Sequence, residues 1–204
     1  MATPALPFNP YSTTNVVGSF QAQSGGFIQG IARPDPAVQN ELAAGILAST
    51  ETIPMWGGVG IQEFIPSSTA QTGGNIVRAA SNTVITGFSV SNQNTAALKT
   101  PQSEVGVTLS GGQVNFYRFG SGARIAVACD PTLAAALLAG TVAVNGQVSW
   151  DFTNQKLITY DGGVGALNCE VLQVNSGNSM IAVYTALTNT CNWNYSGSVA
   201  IIKI

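Results

Sequence analysis

Side chains able to carry chemistry are sparse in this chain. Its 204 residues include nine Asp and Glu, seven Lys and Arg, three Cys and no His. Without histidine, no side chain of near-neutral pKa stands ready as a general base, which excludes Ser-His-Asp and Cys-His arrangements. The usual zinc and copper sites fall with them. Cys129, Cys169 and Cys191 are too far apart for CxxC pairs, so a zinc site would need all three to meet in space. Three cysteines cannot all pair within one chain. The preferred reading is a reducing cytoplasm in which each is a small buried side chain; the alternative is a Cys169–Cys191 bridge with one thiol left over.

No GxxxxGK[ST] phosphate loop and no DxDxDG calcium loop occurs. Gly163-Val-Gly165 follows Tyr160-Asp161 outside any βαβ context and reads as a turn. Two acids meeting in the fold could still serve a glycosidase or an aspartic protease, drawn from Glu63, Glu104, Asp130, Asp151, Asp161 and Glu170. Simpler roles account for those that can be placed: Asp35 and Asp130 as helix caps, and Asp161 before Gly162 as a turn residue. The expectation is a protein that is not an enzyme, with no catalytic residue, no cofactor and no metal.

Charged residues make up 8% of the chain, against ~25% in an ordinary soluble domain. The net charge is −2, and Arg33, Arg78, Lys99, Arg118, Arg124, Lys156 and Lys203 are scattered. Electrostatic binding of nucleic acid needs clustered cations, so none is expected. A polybasic membrane segment is absent for the same reason. Met1 to Pro10 has neither a basic start nor an apolar run, so no cleaved secretory signal is read there. The longest apolar candidate, Leu133 to Gly146, is broken by Gly140 and Asn145 and falls short of the ~20 residues of a membrane span. Gly, Ser, Thr, Asn, Gln and Ala take the place of charge, a mixture seen in β-rich assembly proteins.

The elements that must position these residues are mostly strands. Residues 1 to 33 are rich in Pro, Gly, Ser, Gln and Asn and read as an extended arm that cannot close a core alone. Asp35–Pro36 marks a helix start, with Val38, Leu42, Ile46 and Leu47 at helical spacing over about 36–49. Ile53-Pro-Met-Trp-Gly-Gly-Val-Gly-Ile-Gln-Glu-Phe-Ile-Pro66 gathers large apolar groups around glycines that let backbone pass close to the chain's own core or to a neighbour. Alternation follows in Val84 to Val90, Val105 to Leu109, Val114 to Phe116 and Ile125 to Cys129. A second helix opens at Asp130–Pro131 and stops at Gly140. Further strands are expected at Thr141 to Val144, with a hairpin turn at Asn145–Gly146, then at Val148 to Phe152, Leu157 to Tyr160, Glu170 to Val174, Met180 to Thr185 and Ser198 to Ile204. The expected fold is mainly β: an antiparallel barrel or sandwich body over 53–204, with two short α-helices and an extended N-terminal arm over 1–52.

This order of features resembles the structural cement, or head-decoration, proteins of tailed bacteriophages. The resemblance lies in the small-residue arm, Arg33-Pro-Asp-Pro36 with the short helix after it, Pro54-Met-Trp-Gly-Gly58, Val148-Ser-Trp-Asp151 and the closing Val199-Ala-Ile-Ile-Lys-Ile204. It implies a virion protein made in the host cytoplasm that binds the outside of an icosahedral capsid where major capsid subunits meet. It also implies a homo-oligomer, a trimer ahead of a dimer, and no catalytic residues. The candidate interface residues are Phe8, Tyr11, Phe20, Phe27 and Ile28 of the arm, with Met55, Trp56 and Phe64. For the Met55 segment two readings stand, exposed anchor and ordinary core. The competing functions are a carbohydrate-binding or adhesive module of a fibre or surface, using Trp193, Asn194 and Tyr195, and a shell-forming capsid subunit.

Overall fold

A computed structural model describes residues 14–16, 20–22, 26–33, 38–66, 74–91, 104–163 and 165–204. The protein is mainly β. β1 (Thr14–Val16) and β2 (Phe20–Ala22) form a small antiparallel ribbon. Five strands then close a barrel: β4 (Ala43–Leu47), β5 (Gly60–Phe64), β6 (Gly74–Arg78), β7 (Gly87–Val90) and β8 (Gln113–Arg118), in the order β4-β6-β5-β7-β8. The β4–β6 pair is parallel and the others are antiparallel. Closure gives each of these five strands a partner on both sides. Leu47, Met55, Val59, Ile61, Ile76 and Phe116 fill the interior.

A four-stranded antiparallel sheet lies beside the barrel, in the order β12 (Glu170–Thr185), β13 (Thr190–Lys203), β9 (Arg124–Ala128), β3 (Ala32–Arg33). Its alternating residues Ile125, Val127 and Ile202 share a second core with Leu133 of the helix α1 (Pro131–Leu138) and with Trp150 and Leu157. The last two belong to the hairpin β10 (Val148–Asp151) and β11 (Lys156–Thr159). Phe88 of barrel strand β7 reaches into this second core, edge-on to Trp150 at 4.9 Å. One hydrophobic unit therefore spans barrel and sheet.

The helix at Asp130–Pro131 forms as its sequence dictates. The Asp130 side chain accepts the Thr132 amide hydrogen at 2.9 Å, and Pro131 occupies the first turn. Gly140 follows at φ +70°. Lys156 Nζ donates to the same carboxylate at 2.7 Å, so one acid caps the helix and ties it to β11.

Three expectations are corrected. The helix expected over about 36–49 is instead a 3-10 turn at Gln39–Glu41 followed by strand β4. Its Asp35–Pro36 start lies outside the described residues. β4 finds backbone partners on both sides, Leu47 opposite Ile76 and Gly45 opposite Val114, and this ladder outweighs local helical spacing. Gly45 is needed there, because a β-carbon would stand 2.7 Å from the Gly74 carbonyl oxygen. β4 is itself a strand of the barrel. Second, residues 26–33 are not a detached arm: Gln29 is 1% exposed, and β3 pairs with β9. Third, residues 141–147 form turns rather than a strand, and Asn145 is not in the left-handed region. β10 pairs instead with β11 across a turn in which Gln155 takes φ +54°.

Candidate functional site

The long hairpin of β12 and β13 dominates the surface chemistry. Only Val199–Lys203 of β13 pairs with β9; from there the two strands run on, paired with each other, to a turn at residues 186–189. Ala182, Tyr184, Cys191 and Trp193 pack one side of this distal part against the barrel core. Val183 and Leu187 face water, and Leu187 at the turn is 96% exposed.

Between the distal hairpin, the turn joining β10 to β11 and the rim of the barrel lies a groove of about 450 Å³. Trp56 and Arg78 line its barrel side, Tyr184 its hairpin side and Lys156 its far wall. Trp56 is held by backbone pairing of its neighbour Met55 with Thr108, at 2.9 and 2.7 Å, and by Ser89 Oγ, which donates to the Trp56 carbonyl at 2.7 Å. The Tyr184 ring stacks on Trp56 with centroids 6.1 Å apart. The Arg78 guanidinium carbon lies 4.5 Å from the centre of the same ring, within cation–π reach.

Arg78 sits at the end of β6. Its backbone amide donates to Glu51 Oε2 at 2.7 Å, and its guanidinium donates to the Pro54 carbonyl. Burial pulls its pKa below the usual arginine value, with the charge of Glu51 opposing. The ion pairs among the described residues are Glu63–Arg118, Asp130–Lys156 and Glu170–Lys203, so the Arg78 guanidinium has no carboxylate directly against it. Arg78 Nε and Trp56 Nε1 are buried donors without a hydrogen-bond partner among the described residues.

Burial pushes the thiols of Cys129, Cys169 and Cys191 up to about 12, which leaves them protonated and poorly nucleophilic at neutral pH. No disulfide joins the three, all of which are among the described residues. Among the described residues, no cluster of three or more acids and cysteines is placed to hold a metal, and no helix is long and apolar enough to cross a membrane.

The candidate interface residues whose side chains are described, Phe27, Ile28, Met55, Trp56 and Phe64, do not form one patch. Phe8 and Tyr11 lie outside the described residues, and Phe20 stands in β2 opposite Val16. Phe27 is buried against Ala126, Val199 and Ile201, and Ile28 bridges to Met180. Met55 is 2% exposed and Trp56 8%, both packed in the barrel core. Phe64 shows a large apolar surface, 45% exposed beside Ile65 at 90%. The neighbouring glycines serve the chain's own packing: a β-carbon at Gly57 would stand 2.7 Å from Gly30 Cα and from the Ser91 nitrogen. Leu187 and Arg78 escaped the sequence reading. A leucine inside Thr185-Ala-Leu-Thr-Asn189 was a legible signal, whereas nothing marked Arg78 as lining a groove. Compared with family models, curated proteins and solved structures, the chain finds no match in any of the three.

Proposed function

We propose that this chain is a non-enzymatic structural protein of a bacteriophage particle. In this reading it binds the outside of an icosahedral capsid as a homo-oligomer, a trimer ahead of a dimer, and ties major capsid subunits together. The observation that carries it is the distal β12–β13 hairpin, which presents Leu187 and Val183 to water on a chain with only 8% charged residues. Covering a leucine that is otherwise in water contributes about 1.5–3 kcal/mol. Repeated over the copies of an oligomer, a modest contact of that size becomes firm attachment through effective concentration. Phe64 and Ile65, at the end of β5, offer a second apolar contact.

The sugar-binding alternative needs an exposed planar aromatic cluster. Tyr195 is exposed, but Trp193 packs against the barrel core, which favours the protein-contact reading. Incubation of the purified chain with expanded capsids that lack it, followed by gradient sedimentation, tests the proposal. Co-migration with the capsids is expected. A chain that stays at the top of the gradient overturns it, and closed shells formed by the chain alone would make it a shell subunit instead.

A further inference from the structure

Two residues that line the groove between the distal hairpin and the barrel, Trp56 and Arg78, each carry a buried nitrogen donor, Nε1 and Nε, with no hydrogen-bond partner among the described residues. A buried donor left unpaired is costly. Both residues line one cavity, and Trp56 is 8% exposed. Lys156, the other cation on the wall, is already paired with Asp130 at 2.7 Å. The nearby Glu51 carboxylate is taken by the Arg78 backbone amide rather than by its guanidinium.

We infer that this groove is a binding site for a single carboxylate group, whose oxygens accept from Arg78 and from the Trp56 indole. The charges nearby restrict the ligand class. Glu51 already acts on Arg78 and Lys156 is paired with Asp130, so a singly charged group that hydrogen-bonds to the guanidinium is accommodated more readily than a phosphate dianion, which would leave a larger negative excess. An arginine fork suits the two oxygens of a carboxylate. Stacking of a sugar ring is disfavoured, because the Trp56 π surface already carries the Arg78 guanidinium and the Tyr184 ring. Ile53 and Ala182 on the same walls would pack the aliphatic stem of an acidic side chain. Both donor atoms are shut off from bulk water, so entry requires the Arg78 guanidinium and the Trp56 indole both to shift towards the groove, at the expense of the guanidinium contact with the Pro54 carbonyl. The inference does not rest on the capsid reading.

The test is an NMR titration of the purified full chain that follows the indole N–H of Trp56, identified by its loss in W56F. The probes are acetyl-glutamate amide, its neutral isostere acetyl-glutamine amide, and acetate. A saturable shift of the Trp56 signal with the glutamate probe is expected at a dissociation constant on the order of 1 mM, with binding by the glutamine probe at least tenfold weaker. Acetate binding as tightly as the glutamate probe would assign the site to free carboxylates; weaker acetate binding assigns it to an acidic side chain. R78Q should abolish the shift and R78K should weaken it. No saturable shift, or equal binding of the glutamate and glutamine probes, overturns the inference. Should R78Q fail to fold, the probe comparison on the unaltered chain decides.

Discussion

The Tyr184 ring stacks on Trp56 with their planes 26° apart, and this contact fastens the distal part of the long hairpin to the barrel. The Tyr184 hydroxyl also donates to Asn189 Oδ1 at 2.9 Å, holding the turn in which Asn189 takes φ +51°. Anchor and turn are thus linked through one side chain. Replacing Tyr184 with Ala removes both, at a cost of about 2–4 kcal/mol. Urea unfolding measures that loss. Limited proteolysis should cut Y184A first at residues 186–189, and equal cutting of both proteins would show that the hairpin is held by other contacts.

Gly57 marks the crossing of barrel and sheet. With Gly30 Cα and the Ser91 nitrogen each 2.7 Å from where a β-carbon would sit, backbone on two sides must move to admit one. G57A should destabilise by about 2 kcal/mol or more, seen as a lowered melting temperature. A change within about 0.5 kcal/mol, the range of ordinary surface substitutions, would mean that the crossing has slack.

The three thiols give a pH dependence whose sign is fixed. Each is raised from 9.0 to about 12, chiefly by burial; the Asp130 charge adds to the effect at Cys129, and Arg78 opposes it at Cys191. The native state holds these protons where the unfolded chain releases them. Their stabilisation is therefore complete below pH 9 and is lost as pH climbs towards 12, by about 1.4 kcal/mol per pH unit for each thiol. Comparing the slope of unfolding free energy between pH 8 and 10.5 in the unaltered chain and in C129A checks this. Asp130 works in the other direction. Its carboxyl is held below 3.8, chiefly by the hydrogen bond from Lys156, so its contribution is present above that pH and is lost as pH falls through its lowered native value.

Much of the β architecture was legible because alternation survives wherever a strand has one buried side, as in Ile125 to Cys129 and Val114 to Phe116. The helix at Asp130–Pro131 was legible because capping is local chemistry, written in adjacent residues. β4 was not. Ala43-Ala-Gly-Ile-Leu47 suits helix or strand, and the choice was made by β6 and β8, whose paired residues lie 29 or more positions away in the chain. The Asn145–Gly146 turn failed for a related reason: β10 found its partner downstream in β11. The groove was the least legible feature, since Trp56, Arg78, Lys156 and Tyr184 meet only through tertiary packing.

Leu187 separates attachment from stability. Because it is 96% exposed, L187S should leave unfolding free energy within about 0.5 kcal/mol while lowering occupancy on particles. Attachment built on apolar contact rather than charge should also persist to about 0.5 M salt, where the Debye length falls to a few ångströms. Release of the chain by salt alone would point to an electrostatic contact. Deleting residues 1–25 rather than 1–33 keeps Phe27, Gln29 and β3 in the body, and so asks whether the residues before them contribute to occupancy without unfolding the sheet.

A density map of the native particle decides between attachment and its alternatives. The expected result is the barrel and sheet standing outside the shell where capsid subunits meet, with the turn at residues 186–189 against a capsid subunit. Absence of the chain from the particle, or its presence as the shell lattice itself, would contradict a cement role.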